Sequence, residues 1–497
     1  MESIKKEAHI KNKKSLRQLG MMIFITIMIQ ATGLIRSSIL AAQFGISIEI
    51  DALNFSNNIN VFIFSFISSG ITTVLIPSLV EDGNNKAIDT FITTIYSLAL
   101  IILVFVFIFR VPIITIISGR NQEFIKLSSN IMFITLFTNF LNSFLGVTNA
   151  VFQCEDKFNI PKIMNLLTSI ILIIMLLVMP SINIYKYVGA LFITTLINVI
   201  LNFILVIKTS FRFKISWDLK NKKFMLMIKT FLPTLLSTGL YQVTLITDTL
   251  ISSRLGEGKI SILNYSNSII SMINMLLLTN IMTYLYPKIS KSVNQNRGDK
   301  SLLDYFIFLN GLMMIIVIEF VILGKDAIRI LYERGKFTGS MTEYVYICSL
   351  IAILSLPTNA LRDLIYRYFY ANKDTLTPFK NSILISCVNI IISIVLSIHM
   401  GLYGIILGTV LSSYLSLFMI MARFNKKFNI KYNKNNLILE NMKILIAAIV
   451  VLLIVNIQGY KLFDNILINI VIIGTEILSI YLVLLYILKS KIFRIKI

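Results

Sequence analysis

The sequence predicts an all-α polytopic membrane protein of about fourteen transmembrane helices, arranged as two pseudo-symmetric six-helix lobes plus two C-terminal helices. Of 497 residues, 56% are hydrophobic and 14% are charged, with a mean hydropathy of +0.82, so there is too little polar surface to cover a soluble core. The apolar residues gather into runs that reach the roughly 20 residues a helix needs to cross a bilayer. Two motifs recur at matching places in the two halves.

The runs fall near residues 18–44, 53–80, 88–110, 124–152, 160–180, 187–207, 226–253, 263–289, 302–324, 343–371, 376–398, 402–423, 443–460 and 465–489. The first follows KKEAHIKNKKSLRQLG and is trailed by no small-residue cleavage site, so it reads as a retained span and not a signal peptide. The predicted organisation is a basic tail (1–17), an N-terminal six-helix lobe (18–207), a basic linker (208–225) and a C-terminal six-helix lobe (226–423). A basic loop (424–442), helices 13 and 14 (443–489) and a basic tail (490–497) complete it.

Lysine and arginine set the orientation, because short cytoplasmic loops retain them. The tails, the linker, the loop Lys288 to Lys300 and the loop Arg423 to Lys443 are basic and all fall on one side of a fourteen-span chain, which predicts cytoplasmic termini. The segment Lys325 to Lys336 is the exception on the other side. The net charge of +22 thus encodes topology, and no nucleic-acid partner is expected, whereas contact with anionic lipid headgroups is. Cys154, Cys348 and Cys387 match no zinc or redox spacing and read as packing residues, and His9 and His399 carry no signal.

LNFSNNI (Leu53 to Ile59) recurs as LNYSNSI (Leu263 to Ile269), and Pro77 recurs as Pro287 at the same offset of 210. FQCEDKFNIP (Phe152 to Pro161) matches FYANKDTLTP (Phe369 to Pro378) in length and in its terminal residues. Six spans separate each pair, so the copies share one orientation. Parallel repeats of this kind suit rocking-type alternating access, with substrate between the lobes.

The stretch Gly33 to Pro77 holds the main candidate site. Arg36 sits inside an apolar run, and an ionisable residue at membrane depth costs about 2.5–3.5 kcal/mol on insertion scales, so it reads as facing protein or water. The competing reading of Arg36 is an ion pair with Asp51 or a snorkelling side chain. Asn54 and Asn57, with Asn264 and Asn267, either line a cavity and bond sugar hydroxyls or lock helices together. Asp248 is the second intramembrane charge, near the repeat counterpart of Arg36. Arg362, Asp363 and Arg367 read as a local pair near a helix end, the segments around Asp156 and Asp374 as solvated turns or hinges, and Glu319 and Glu476 as tolerated interface acids.

GLIRSSILAAQFG, the pair Asp51–Ala52 and VLIPSLVE resemble the first two spans of the MurJ lipid II flippases, within the superfamily of multidrug, oligosaccharidyl-lipid and polysaccharide exporters. LPTLLSTGLYQVTLITDTLISSRLGEG, LNYSNSI, LYERGKFT and YRYFYANKDTLTP extend the resemblance over nearly the whole chain. The resemblance implies transport of an undecaprenyl-pyrophosphate-linked saccharide, foremost the peptidoglycan precursor lipid II, from inner to outer leaflet, in a cationic cavity that grips the pyrophosphate. Arg36 falls on one of the family's cavity arginines, and the planar fork of arginine suits phosphate oxygens. The implied cavity set is Arg36, Ser37, Asp51, Asn54, Asn57, Asn264 and Asn267. The family usually has an acid at Ser37, an arginine pair within Val61 to Phe66 and an arginine near Asn267 and Ser268, so one familiar arginine remains.

Some family members bind sodium in the C-terminal lobe. The resemblance places that site on Asp248, Asn389, Ser393, the backbone carbonyl of Ile405 and Thr409, with Ser393 where those relatives carry a second acid. Oxygen ligands suit a hard cation. Apart from this coupling ion no cofactor is implied. Expected partners are the lipid-linked saccharide, membrane lipids and cell-wall or polysaccharide synthesis enzymes, around a monomer in the bacterial plasma membrane.

The sequence carries no Walker-type loop, HExxH, CxxC or nucleophile elbow, so it reads as no enzyme. Energy is expected from the membrane potential, worth about 2.3 kcal/mol per charge per 100 mV, or from an ion gradient. Three functions stay open: a lipid II flippase, an exporter of another polyprenyl-linked oligosaccharide or of drugs, and a non-transporting envelope scaffold.

Overall fold

A computed structural model of the chain describes residues 2–82, 85–179, 181–294, 298–428, 434–458 and 465–494, and every regular element among them is helical. The expectations on 429–433 and 495–497, parts of two basic segments, lie outside the described residues, as do the side chains of His9 and Pro287. Packing divides the chain into two compact units, Met1–Ile260 and Ser261–Ile497.

The first unit comprises α1 (Glu2–Phe44), α2 (Ile48–Asp82), α3 (Lys86–Ser118), α4 (Gln122–Ser143), α5 (Leu145–Cys154), α6 (Asn159–Val178), α7 (Ile184–Ile207) and α8 (Lys222–Arg254). Asparagines open four of these helices. Asn85, Asn121, Asn183 and Asn221 each accept a hydrogen bond from a backbone N–H of the following first turn, satisfying a donor that has no partner inside the helix. Helix α2 is the axis of the unit, with Ala52, Phe55, Ile71 and Leu75 fully buried and α4, α5 and α8 packed around it. Gly70 lets the Phe231 ring of α8 lie against the α2 backbone, and that ring meets Phe91 of α3 edge-on with centroids 5.5 Å apart.

The chain breaks between α4 and α5 without a proline. Phe144 stacks on Tyr96 of α3 at 4.2 Å, and the Tyr96 hydroxyl donates to the freed Ser143 carbonyl at 2.8 Å. The tyrosine therefore supplies the hydrogen bond that the broken helix loses.

The second unit comprises α9 (Lys259–Ile273) from Ser261 onward, which continues through a π-turn at Asn274–Leu278, α10 (Thr279–Asn294), α11 (Gly298–Tyr332), α12 (Gly339–Ile353) and α13 (Leu356–Ala371). It continues through α14 (Leu376–Met400), α15 (Leu402–Phe428), α16 (Lys434–Gln458), α17 (Ile466–Ile487) and a 3₁₀ turn at Lys491–Arg494. Helices α16 and α17 pack on α11 through Ile318, Ile444, Ala447, Val451 and Ile477, and Tyr481 donates to the Gly311 carbonyl at 3.0 Å. The break between α12 and α13 precedes Pro357, which has no N–H to continue the helix, and Tyr414 donates to the freed Leu354 carbonyl at 3.2 Å. The basic segment after residue 325 is matched by acids: Lys325 pairs with Glu343, and Arg329 with Glu333 at 3.3 Å.

Thirteen stretches among the described residues are long and apolar enough to cross a membrane. The remaining expected span is α8, whose 33 residues reach roughly 50 Å but whose Gln242, Asp248, serines and threonines make it less apolar. The chain is a multi-pass membrane protein. Helix α8, which the repeat counts as the first helix of the second lobe, packs on α2 and α3.

Both repeats are visible in the backbone. Leu53, Phe55, Ser56 and Ile59 are buried while Asn54 and Asn57 are half-buried, and the same classes recur at Leu263, Tyr265, Ser266, Ile269, Asn264 and Asn267. Asp156 and Lys373 both take left-handed φ, at 57° and 59°. The amides that follow reach back to Phe152 O at 2.8 Å and Phe369 O at 3.0 Å, closing the same helix-ending turn twice.

The linker after α7 is an extended strap on α3. The N–H groups of Lys214, Ser216 and Asp218 donate to Asp89 Oδ1, Thr93 Oγ1 and Thr90 Oγ1, each at 3.3 Å. The alternate residues Phe213, Ile215, Trp217 and Leu219 are exposed, as a period of two requires.

Candidate functional site

Arg36 lies on α1, eight residues before its end at Phe44, or roughly 12 Å along the axis. It is half-buried, within electrostatic reach of the buried Tyr187 hydroxyl of α7, and it takes no hydrogen-bond or ion-pair partner among the described residues. An arginine in this state keeps its fork of donors available for an anion. Ser37 beside it is half-buried too.

Asp51 is not the partner of Arg36. It is fully buried in the first turn of α2, where its Oδ2 accepts from Gly258 N at 2.6 Å and lies 3.7 Å from Arg120 of the α3–α4 loop. Arg120 is largely buried, its side chain 9% exposed, donates to the Ser253 carbonyl at 3.3 Å and stands over the Phe124 ring at 4.8 Å. Gly258 presents its N–H from φ +77°, which a side chain would strain, and a Cβ there would collide with Ile46. The carboxylate thus ties together the α1–α2, α3–α4 and α8–α9 ends of the first unit. Sequence reasoning missed Arg120 and Gly258. The available signals were the lone arginine of SGRNQEF and the paired glycines of LGEG.

The asparagines divide between the two roles left open by the sequence. Asn57 Oδ1 accepts from Asn139 Nδ2 of α4 at 3.1 Å, Asn58 donates to Thr249 of α8 at 3.0 Å, and Asn60 donates to Thr135 of α4 at 2.8 Å. These three join helices. Asn54 and Asn267 are half-buried without a hydrogen-bond partner among the described residues, and Asn264 is half-buried with Ser268 donating to its carbonyl at 2.8 Å.

Asp248 is buried on α8, with Oδ1 lacking a hydrogen-bond partner. It belongs to the first unit. In the second unit, Asn389 and Ser393 of α14 face Ile405 and Thr409 of α15: Asn389 Nδ2 donates to Thr409 Oγ1 at 3.2 Å, Ser393 Oγ to Ile405 O at 3.3 Å, and Thr409 Oγ1 to Ile405 O at 3.4 Å. Asn389 Oδ1 is buried and lacks a donor. This all-oxygen set, with an acceptor left open, fits a hard cation.

Arg362 pairs with its own neighbour Asp363 at 3.1 Å and stacks over Tyr366 at 5.7 Å, while Arg367 stands over Tyr286 at 5.4 Å. Glu319 and Glu476 are half-buried on α11 and α17, without hydrogen-bond partners among the described residues.

A family model described as lipid II flippase MurJ matches residues 40–475, beginning just past Arg36 and Ser37. A probable lipid II flippase MurJ of Rickettsia prowazekii is 26% identical over 384 residues, covering 74% of this chain and 75% of that protein. One of Aquifex aeolicus is 25% identical over 369 residues, covering 71% of each. In fold the chain is similar to a solved lipid II flippase MurJ in an inward closed conformation, with a TM-score of 0.80 at 22% identity over 93% of this chain and 97% of that one. An inward-facing multidrug MATE transporter of the MOP superfamily aligns with a TM-score of 0.64 at 12% identity, over 82% of this chain and 100% of that one.

Proposed function

Because the chain belongs to the lipid II flippase MurJ family, we propose that it carries lipid II, an undecaprenyl-pyrophosphate-linked saccharide, from the inner to the outer leaflet of the bacterial plasma membrane by alternating access. The family match over residues 40–475 carries this reading. Both termini lie in the cytoplasm, as the basic loops indicate. Arg36 grips the pyrophosphate through paired, charge-assisted hydrogen bonds, supported by its lack of any protein counter-charge among the described residues. Ser37, Asn54, Asn264 and Asn267 serve the saccharide, Asn57 holds α2 to α4 through Asn139, and Asp51 positions the cavity through Arg120 and Gly258. A sodium ion received by Asn389, Ser393, the Ile405 carbonyl and Thr409 couples transport to an ion gradient. The protein works as a monomer among membrane lipids and cell-wall synthesis enzymes.

A second reading, transport of another polyprenyl-linked oligosaccharide, is favoured by one observation: Val61 to Phe66 and Asn267–Ser268 stand where the resemblance calls for arginines. Expression in cells depleted of their own lipid II flippase separates the two. Rescued growth is expected, and failure there with rescue of a polysaccharide-export mutant replaces lipid II by the second substrate. Arg36→Ala at equal protein level is expected to abolish rescue, and normal growth removes the assigned role of Arg36. Transport unchanged in sodium-free buffer and in Asn389→Leu removes the ion.

A further inference from the structure

Helices α1, α5, α6 and α7 line a half-open cavity of about 270 Å³ within the first unit. At about 30 Å³ per water it has room for roughly nine waters. Its polar lining is Lys162 of α6 with the amides Asn149, Gln153, Asn165, Asn198 and Asn202. None of the residues assigned to the substrate or the ion lines it.

Lys162 is half-buried in the first turn of α6 and donates to Thr26 Oγ1 of α1 at 3.0 Å. No acid lines the cavity, and Lys162 has no carboxylate partner among the described residues. A cation at the positive end of a helix dipole, in a membrane span, without a counter-charge is unfavourable on each count. An anion in the cavity reverses all three.

Asn202 adds a separate requirement. It is 1% exposed, and its Nδ2 donates to Asn198 O at 2.8 Å and Asn198 Oδ1 at 2.9 Å. That leaves Asn202 Oδ1 buried with no donor. A bare anion cannot satisfy an acceptor, whereas a ligand hydroxyl can.

We propose that this cavity is a second ligand site, distinct from the transport path, that binds a phosphate ester bearing free hydroxyls. Lys162 holds the phosphate, the amides donate to its oxygens, and Asn202 Oδ1 accepts from a ligand hydroxyl. A glycerophosphate group has this chemistry, and either a phospholipid headgroup or a soluble glycerol phosphate supplies it.

Native mass spectrometry of the full chain in detergent tests the site with phosphatidylglycerol against phosphatidylcholine, and thermal shift tests it with glycerol 3-phosphate. Phosphatidylglycerol is expected to bind on the order of tenfold more tightly than phosphatidylcholine, and Lys162→Gln to lose that preference while Lys162→Arg keeps it. Saturable stabilisation by glycerol 3-phosphate, lost in Lys162→Gln, identifies the soluble ester as the source. Phosphatidylglycerol preference without it identifies the lipid. Equal binding of the two lipids and no response to glycerol 3-phosphate by the wild-type chain overturns the proposal whether or not the variants fold, as does unchanged ligand binding in Lys162→Gln.

Discussion

In α2, Phe55 meets Phe124 of α4 edge-on with centroids 5.4 Å apart, and Ser56 donates to the Ser128 carbonyl at 2.9 Å. In α9, Tyr265 meets Phe337 edge-on at 5.5 Å, and Ser266 donates to the Val345 carbonyl of α12 at 3.3 Å. The apolar scaffold and the serine bond are thus kept in both copies. The polar partners are not. Asp51 with buried Arg120 fastens the first copy, whereas Ser261 takes the aspartate's place in the second, where Tyr332 joins Tyr265 and Phe337 in an aromatic cluster. The difference shows that burial sets the repeated shape while buried charge is added to one copy alone, in the unit that also carries Arg36.

Removing that charge should have the largest effect. Asp51→Leu strands buried Arg120 and is expected to cost about 3–5 kcal/mol, whereas Ser261→Ala should cost under about 1 kcal/mol. Thermal unfolding in detergent checks this, with the double variant Asp51→Leu/Arg120→Leu recovering most of the loss. Equal costs in the two copies would end the asymmetry. Next in size are the interhelical amides: Asn60→Leu is expected to cost roughly 0.6–1.7 kcal/mol, and unbonded Asn267→Leu close to nothing, by the same measurement.

The left-handed turns give a smaller, opposite effect. Lys373→Gly should stabilise by about 0.5–1 kcal/mol, and Asp156→Gly by less, because aspartate tolerates this conformation better than lysine. A Lys373→Gly variant that melts earlier would show that the turn depends on its side chain. The smallest effect is electrostatic. Burial pushes the Asp374 carboxyl up, but hydrogen bonds from Lys427 and Thr377 outweigh it and hold the group at about 2, below its usual 3.8. The stabilisation from a depressed carboxyl is present above the unfolded value and is lost as pH falls from about 4 towards 2. Hydrogen exchange at the second turn should rise over that window in the wild-type chain and stay level in Asp374→Asn.

Local features were legible in the sequence. The apolar spans and the paired Phe-to-Pro turns each depend on a few neighbouring residues, and each is where the pattern put it. The break at Pro357 had its signal, and the break at Phe144 did not, because what sustains it is Tyr96 on another helix. The Asp51 partners were illegible for the same reason: Arg120 and Gly258 lie 69 and 207 residues onward, in loops without periodicity. For Arg36, isolation in an apolar run was the signal, and the structure leaves its guanidinium without a hydrogen-bond or ion-pair partner among the described residues.

The strap on α3 constrains biogenesis. Its bonds join residues 123 to 128 positions apart, so the polar flank of α3, with Asp89, Thr90 and Thr93 buried in the finished fold, has no strap to cover it until residue 218 has left the ribosome. At about 5–20 residues per second, roughly 6–26 s separate the two ends. During that interval the hydroxyls of Thr90 and Thr93 can bond only within α3, to Lys86 O and Asp89 O, and Asp89 at the start of the helix waits for its strap donor.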